Sequence, residues 1–316
     1  MLDSVVEDVG VKALSGYAHG DYVASLAGYG TPRLLPRSGG WILERPIEGS
    51  TYRDAMGCYP LFACRDWSQL AADLEDIGDL VCLSLVADPF GDYGLEYLRR
   101  CFPDVVLPFK QHCVIDLSRP RESFVHPHHR RNARKALERV SVEVCEGADA
   151  VGLVDEWCGL YDNLIARHSI RGITSFSRQS FAQQLAVPGM TAIRATHGGE
   201  TVGMTLWYSG DDIGYYHLGA HSDSGYDLRA SFAIFWRAIE YFASRNLRWL
   251  NLGAGAGANA GGASGLDRFK QGWSTGVRPA YFCGRIFDRK KYERLVRLKD
   301  VTEGGYFPAY RVGEFG

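Results

Sequence analysis

No basic, apolar leader opens the chain. Met1-Leu2-Asp3-Ser4 lacks the charged start and hydrophobic stretch of a secretory signal. No apolar run approaches the ~18 residues that cross a bilayer. Eight cysteines stand at 58, 64, 82, 101, 113, 145, 158 and 283. None forms a C-x-x-C pair, which excludes zinc-ribbon spacing. They lie in apolar runs such as Leu80-Val81-Cys82-Leu83, so they read as small buried hydrophobes of a reducing compartment. Neither G-x-x-x-x-G-K-[ST] nor G-x-S-x-G occurs, which argues against a P-loop enzyme and an α/β-hydrolase. A period of 20–50 residues is also missing, so a solenoid is not expected. With 35 Lys and Arg against 37 Asp and Glu, the formal charge is −2. Contact with nucleic acid would therefore have to come from a local patch. The expectation is a cytoplasmic protein without a membrane span.

What is present is ordinary globular material. The chain has 316 residues, 46% hydrophobic and 23% charged, enough for a sizeable core and, at about 100–200 residues per domain, for two domains. The N-terminal third predicts strands at Gly40–Leu43, Tyr59–Ala63 and Leu80–Leu85, helices at Trp67–Ile77 and Leu95–Cys101, and a further strand at His112–Asp116. The character then changes. From Arg119 to Arg139 seven Arg or Lys face two Glu, and His126-Pro127-His128-His129 adds three histidines. A domain boundary is placed here, giving segments 1–125, 126–290 and 291–316, with a basic helix at Arg130–Arg139.

The second segment reads more clearly. Val142–Val144 is a short strand, and Leu153–Arg167 a helix with Leu153, Trp157, Leu160, Tyr161 and Leu164 at helical spacing. Ser177 is an N-cap for a helix running to Leu185. Strands follow at Thr191–Thr196, Thr201–Tyr208 and Ile213–Ala220, the first two joined as a hairpin through Gly198-Gly199. A polar loop His221–Leu228, a helix Ala230–Arg245 and a strand Leu247–Leu252 form a βαβ unit, with its loop at a strand C-terminus where phosphates commonly bind. A Gly/Ala-rich stretch 253–265, a helix Leu266–Gln271 and a strand Arg278–Asp288 complete the reading.

Several residue groups could carry chemistry. Arg130, Arg131, Arg134 and Lys135 fall at i, i+1, i+4 and i+5, largely on one helical face that can hold the phosphates of a tRNA or nucleotide. Arg285 to Lys299 carries seven basic residues against two acidic. The plain alternative for both is a solvated helix face. Tyr216, His217, His221 and Asp223 lie at the end of the central strand and in its loop, where His217 or Asp223 could serve as a general base. The histidines at 126, 128 and 129 sit beside Arg130 and Arg131, which repel a cation, and no metal is expected. Gly253 to Ala258 contains a loose G-x-G-x-x-A pattern but no long helix follows, so it reads as a loop. No cysteine has an activating context.

Three segments together resemble the FemAB-like (FemX-type) family of the GNAT superfamily. They are Arg130-Arg131-Asn132-Ala133-Arg134-Lys135-Ala136 with Val140–Val144; Tyr215-Tyr216-His217-Leu218-Gly219-Ala220 with the helix containing Phe235-Trp236-Arg237; and Trp249-Leu250-Asn251-Leu252-Gly253 followed by Gly265-Leu266-Asp267-Arg268-Phe269-Lys270. The third is similar to the family's closing aromatic-Asp-Phe-Gly-Gly strand and its Phe-Lys, with Asn251 in place of the Asp. The resemblance covers roughly 125–290. It implies an α+β fold, a tandem pair of GNAT-like domains, each a mixed, mostly antiparallel sheet flanked by helices.

The resemblance also implies roles. Lys270 would stabilise the oxyanion of acyl transfer or the leaving tRNA hydroxyl, on a helix anchored by Phe269 and Trp273. Arg178 is similar to an arginine that holds a nucleotide-linked acceptor; Tyr216 and Asn251 would line the substrate site. GNAT enzymes that use acyl-CoA usually present [Gln/Arg]-x-x-Gly-x-[Gly/Ala] after the central strand. Here that stretch reads Leu218 to Arg229, polar and acidic, with Asp223 and Asp227 opposed to a pyrophosphate. The expected function is therefore aminoacyl transfer from aminoacyl-tRNA to a small-molecule or peptide amine, with no cofactor. Acyl-CoA N-acyltransfer is the alternative. A non-catalytic nucleic-acid or carrier-binding module is the third reading.

Overall fold

A computed structural model describes residues 14–168, 172–255, 265–299 and 305–314. The start at Met1–Ser4, and residues 256–258 of the Gly/Ala pattern, lie outside them.

Eleven strands among these residues form one sheet. They are β1 (Thr31–Leu35), β2 (Gly40–Pro46), β3 (Arg53–Gly57), β4 (Cys82–Ala87), β5 (Val105–Asp116), β6 (Ser141–Glu146), β7 (Met190–His197), β8 (Glu200–Gly210), β9 (Ile213–His221), β10 (Trp249–Gly253) and β11 (Gly276–Ile286). The order across the sheet is β1-β2-β3-β4-β11-β5-β10-β9-β8-β7-β6. The C-terminal strand β11 is thus inserted between β4 and β5. Only β3/β4 and β9/β10 pair in parallel. The helices are α1 (Gly20–Ala24), α2 (Leu70–Glu75), α3 (Leu95–Cys101), α4 (Arg121–Phe124), α5 (Pro127–Leu137), α6 (Gly147–Val151), α7 (Val154–His168), α8 (Arg178–Leu185), α9 (Asp223–Leu228), α10 (Ala230–Ser244), α11 (Gly265–Gln271) and α12 (Arg289–Leu298). The class is α+β with a mixed, mostly antiparallel sheet, as the sequence predicts. No helix among the described residues is long and apolar enough to cross a membrane.

The C-terminal half is packed on both faces. On one, α5 and α10 lay Ala133, Ala136, Ile234 and Phe235 against Trp207, Leu250 and Leu252. On the other, α7 and α8 bring Trp157, Tyr161 and Phe181 against Met204 and Leu206, and Tyr22, Leu43 and Met56 of the N-terminal half join the same core. The predicted hairpin forms at Gly198 and Gly199, whose φ of 61° and 88° only glycine adopts cheaply.

Some expectations need correction. Tyr59–Ala63 is not a strand: Pro60 has no N–H to give a ladder, and the segment runs as a loop that bridges Phe62 to Ala87. The strand in that region is β3, hidden by its charges. Within the predicted helix Trp67–Ile77 a 3-10 turn at Trp67–Gln69 precedes α2. The loop after β9 contains the short helix α9, capped by Ser222. The basic run after β11 is the amphipathic helix α12, which buries Leu295.

The charges of β3 are neutralised from the far end of the chain. Asp54, fully buried, accepts from Arg311 Nε at 2.6 Å, Arg311 Nη2 at 2.9 Å and the Tyr310 hydroxyl at 2.9 Å. Buried Arg45 stands 3.4 Å from the same carboxylate and 3.0 Å from Glu314. Residues 305–314 and α12 are thereby held on β2–β4. Removing one member strands buried charge. Asp54→Asn is expected to lose about 3–5 kcal/mol in urea unfolding and to make the 305–314 segment cleavable by protease under native conditions.

Candidate active site

The site is built where β9 and β10 part. Their parallel register runs Trp249–Ile213, Leu250–Gly214, Asn251–Tyr215 and ends there. β10 then slips against β5 between Asn251 and Gly253, and Gly253 takes φ 71°. Backbone groups beyond Asn251 lose their neighbour on one side and need other partners. Asn251 Oδ1 accepts from its own strand at Gly253 N, 2.9 Å. Lys270 Nζ donates to Ala254 O at 2.6 Å, and Lys110 Nζ to Gly255 O at 3.3 Å.

Lys270 is 4% exposed, a rare state for lysine. Its ammonium lies 5.3 Å from the centre of the Tyr216 ring. Burial, only partly offset by Cys113 and Asp267, pulls its pKa down to about 8. The helix that carries it is pinned by rings: Phe269 packs on Phe235 at 4.9 Å and Phe232 at 5.1 Å, and the fully buried Trp273 stacks on Phe235 at 5.8 Å. His129 of α5 bonds Phe269 O through Nε2 at 3.0 Å. A side chain on Gly272 would collide with the His129 ring at 2.3 Å. His126 and His128 are also held by hydrogen bonds on α5. His126 Nδ1 caps α5 at His128 N, and His128 Nε2 meets Asn132 Nδ2 at 2.7 Å.

Two neighbours were not singled out in the sequence. His112 Nδ1 meets Asn251 Oδ1 at 3.0 Å, and since that oxygen only accepts, the ring carries its proton on Nδ1. Burial holds its pKa down at about 4, so it is neutral. Lys110, two residues before it, has a pKa lowered by burial. The signal was available: alternation along a strand puts Lys110 and His112 on one face.

Lys270 and Tyr216 are brought together with Asn251, Phe269 and Trp273. His217 is not part of that group. β9 carries an extra residue between Tyr216, opposite Trp207, and Leu218, opposite Leu206. At this bulge Tyr216 packs on Trp207 and Phe235, while His217 enters the other core beside Tyr17, Tyr22 and Tyr208. Its nitrogens meet Tyr17 Oη at 3.1 Å and Gln184 Oε1 at 3.2 Å, and burial lowers its pKa to about 3. Asp223 is exposed and paired with Arg167. The general-base expectation therefore finds no placed base in either residue. Arg178 is exposed and bonded to Asp155 at 2.6 and 2.9 Å. Arg131, Arg134 and Lys135 are exposed on α5 and Arg130 is half-buried, donating to Glu122 O. Arg130 and Arg134 border a surface groove with Trp236, on whose ring Arg121 stacks at 3.7 Å.

Comparison with known proteins agrees with this architecture. Residues 126–271 match the family described as Acetyltransferase (GNAT) domain. No curated protein matches the chain by sequence. Among solved structures, FemX superposes with a TM-score of 0.65 at 12% identity, covering 87% of this chain and 93% of its own. The C-terminal domain of a protein from Agrobacterium fabrum assigned as a lysylphosphatidylglycerol synthetase gives 0.59 at 13%, covering 93% and 95%. L-PGS from Bacillus licheniformis gives 0.58 at 12%, covering 87% and 94%.

The depressed lysine has a thermodynamic consequence. Its folded pKa of about 8 lies below the ordinary 10.5, so between those values the unfolded chain binds more protons and stability rises with pH. Lys270→Met, which also gives up the bond to Ala254 O, is expected to lose the rise in stability between pH 8 and 10.5 in denaturant titrations.

Proposed function

We propose that this chain, FemX-like in fold and GNAT-matched over residues 126–271, transfers an aminoacyl group from a charged tRNA to the amine of a small molecule or peptide. The observation that carries the reading is the corner after β9. A CoA pyrophosphate needs free backbone N–H groups at such a corner. Here Ser222 Oγ already accepts from Gly225 N at 3.1 Å, Asp223 opens the helix, and a side chain on Gly225 would meet Val202 O at 1.9 Å. The turn is packed on β8 and acidic, poorly suited to a pyrophosphate. A tRNA ester brings no such group to this corner.

In the reaction the acceptor nitrogen attacks the ester carbonyl. The C–N bond forms, the bond to the ribose oxygen breaks, and that oxygen takes up a proton as the amine gives one up. The Lys270 ammonium, poorly hydrated and already oriented, supplies N–H to the oxyanion or to the leaving oxygen. The bulge at His217 leaves backbone groups out of the ladder at the parting of the strands, where a carbonyl would lie. Arg130, Arg131, Arg134 and Lys135 hold the acceptor-stem phosphates, and His129 links that helix directly to α11. The second reading is acyl-CoA N-acyltransfer, favoured by the family description on residues 126–271.

The test is transfer from a pool of radiolabelled aminoacyl-tRNAs to a primary-amine mixture, beside acetyl-CoA, with and without RNase. RNase-sensitive product is expected, with Lys270→Ala reducing kcat/KM by about 10²–10³. Product from acetyl-CoA alone would overturn the tRNA donor. The rate should fall as pH rises through about 8, where Lys270 loses its proton, and Lys270→Arg should remove that limb. The double variant R130E/R134E should weaken donor binding and flatten its log–log salt dependence by roughly 1–2.

A further inference from the structure

A cavity of about 290 Å³ lies between the two halves of the chain, on the side of β9 where Tyr215 rather than Tyr216 projects. The chemistry above does not use it. Its lining includes Tyr17, Trp67, Phe90, Tyr208 and Tyr215, together with Asp88. These come from the segment before α1, the loops after β3 and β4, and the β8–β9 hairpin, so neither half makes the cavity alone.

Asp88 is 6% exposed, with Oδ2 accepting from the Tyr215 hydroxyl at 2.7 Å and Oδ1 from Phe90 N at 2.9 Å. Burial pushes its pKa up to about 6 against these bonds and nearby Arg278. At neutral pH it is ionised and poorly hydrated. Asp92 and Asp211 add two exposed carboxylates to the lining. Arg65 is the one cationic side chain of the lining, exposed, with its guanidinium lying over Gly39, while Arg278 stacks on the Phe90 ring at 4.2 Å. An anion entering this space meets repulsion, and a neutral apolar molecule fills the rings but leaves a buried carboxylate against it. A compact cation gains both the carboxylate and the ring faces.

We infer that this cavity binds a small cationic amine, and, resting on the transfer reading above, that it holds the acceptor. The acceptor class is then a compact amine, held as its ammonium and giving that proton to the Asp88 carboxylate before its nitrogen attacks, rather than a nucleotide-linked one. Two placements agree. Tyr215 is the register partner of Asn251, so the cavity wall reaches the point where β9 and β10 part. Arg178, which a nucleotide diphosphate would need, is committed to Asp155 on the surface.

The experiment is calorimetric binding of phenethylamine and of uncharged 2-phenylethanol to the full chain at pH 7.5, with no donor present. The amine is expected to bind about tenfold tighter or more. Asp88→Asn should bring it down to the level of the alcohol. Ala63→Trp, which fills the cavity and keeps the carboxylate, should abolish binding of both. Equal affinities, wild-type amine affinity in Asp88→Asn, or no binding of the amine would each overturn the inference. Amine binding with failed transfer from every aminoacyl-tRNA would remove the donor reading and leave the cavity's ligand class standing. Transfer without amine binding would do the reverse.

Discussion

A parallel pair of strands that holds together as far as Asn251 and Tyr215 and then separates sets most of what surrounds it. Separation leaves the half-buried backbone of 253–255 without a β9 neighbour on one side. The chain repairs this with side chains: Asn251 for Gly253 N, Lys270 for Ala254 O, Lys110 for Gly255 O. Lys270 is buried and Lys110 half-buried where the backbone needs donors. The same requirement puts an ammonium beside the point where the two strands part.

Burying that ammonium is costly, and its hold on position comes from packing. α11 has seven residues, too short to persist alone. Phe269 and Trp273 clamp it to α10, and His129 and the bare Gly272 let α5 close over it. The clamp also ties α5 to Lys270. Because α5 touches α11 directly, the basic residues on its outer side stand at a set distance from Lys270, as a phosphate-holding face must if it is to present an ester to one group.

The two sides of β9 differ in charge as well as in packing. Tyr216, Lys270 and the basic outer side of α5 belong to one side; Tyr215, Asp88 and the cavity belong to the other. Alternation along β9 puts His217 with Tyr215 in the tyrosine core, on the side away from Tyr216 and the lysine. A polyanionic donor and a cationic acceptor would then approach one carbonyl from opposite directions, each in a field of the sign that attracts it.

The FemX-like fold was legible in the order of elements and in short stretches that keep their chemistry locally: Leu95–Cys101, the Ser177-capped helix, the Gly198-Gly199 hairpin, and Phe269-Lys270 on its small helix. Capping, turn geometry and helical spacing are decided within a few residues, so the chain announces them by itself. β3 was not legible, because Asp54 becomes a core residue only through Arg311, which is supplied from the other end of the sequence. Nor was His217 as a buried residue, since the core that covers it is closed by Tyr17 and Tyr22 from the other end of the sequence. The grouping of Lys110, His112 and Asn251 with Lys270, and of Asp88 with Tyr215, depends on β11 threading between β4 and β5 and on β10 lying beside β5. The sequence by itself determined most elements of the C-terminal half and the basic face of α5. Which charges face one another, and which are buried, was decided by tertiary structure, because long-range pairing alone removes water from between them.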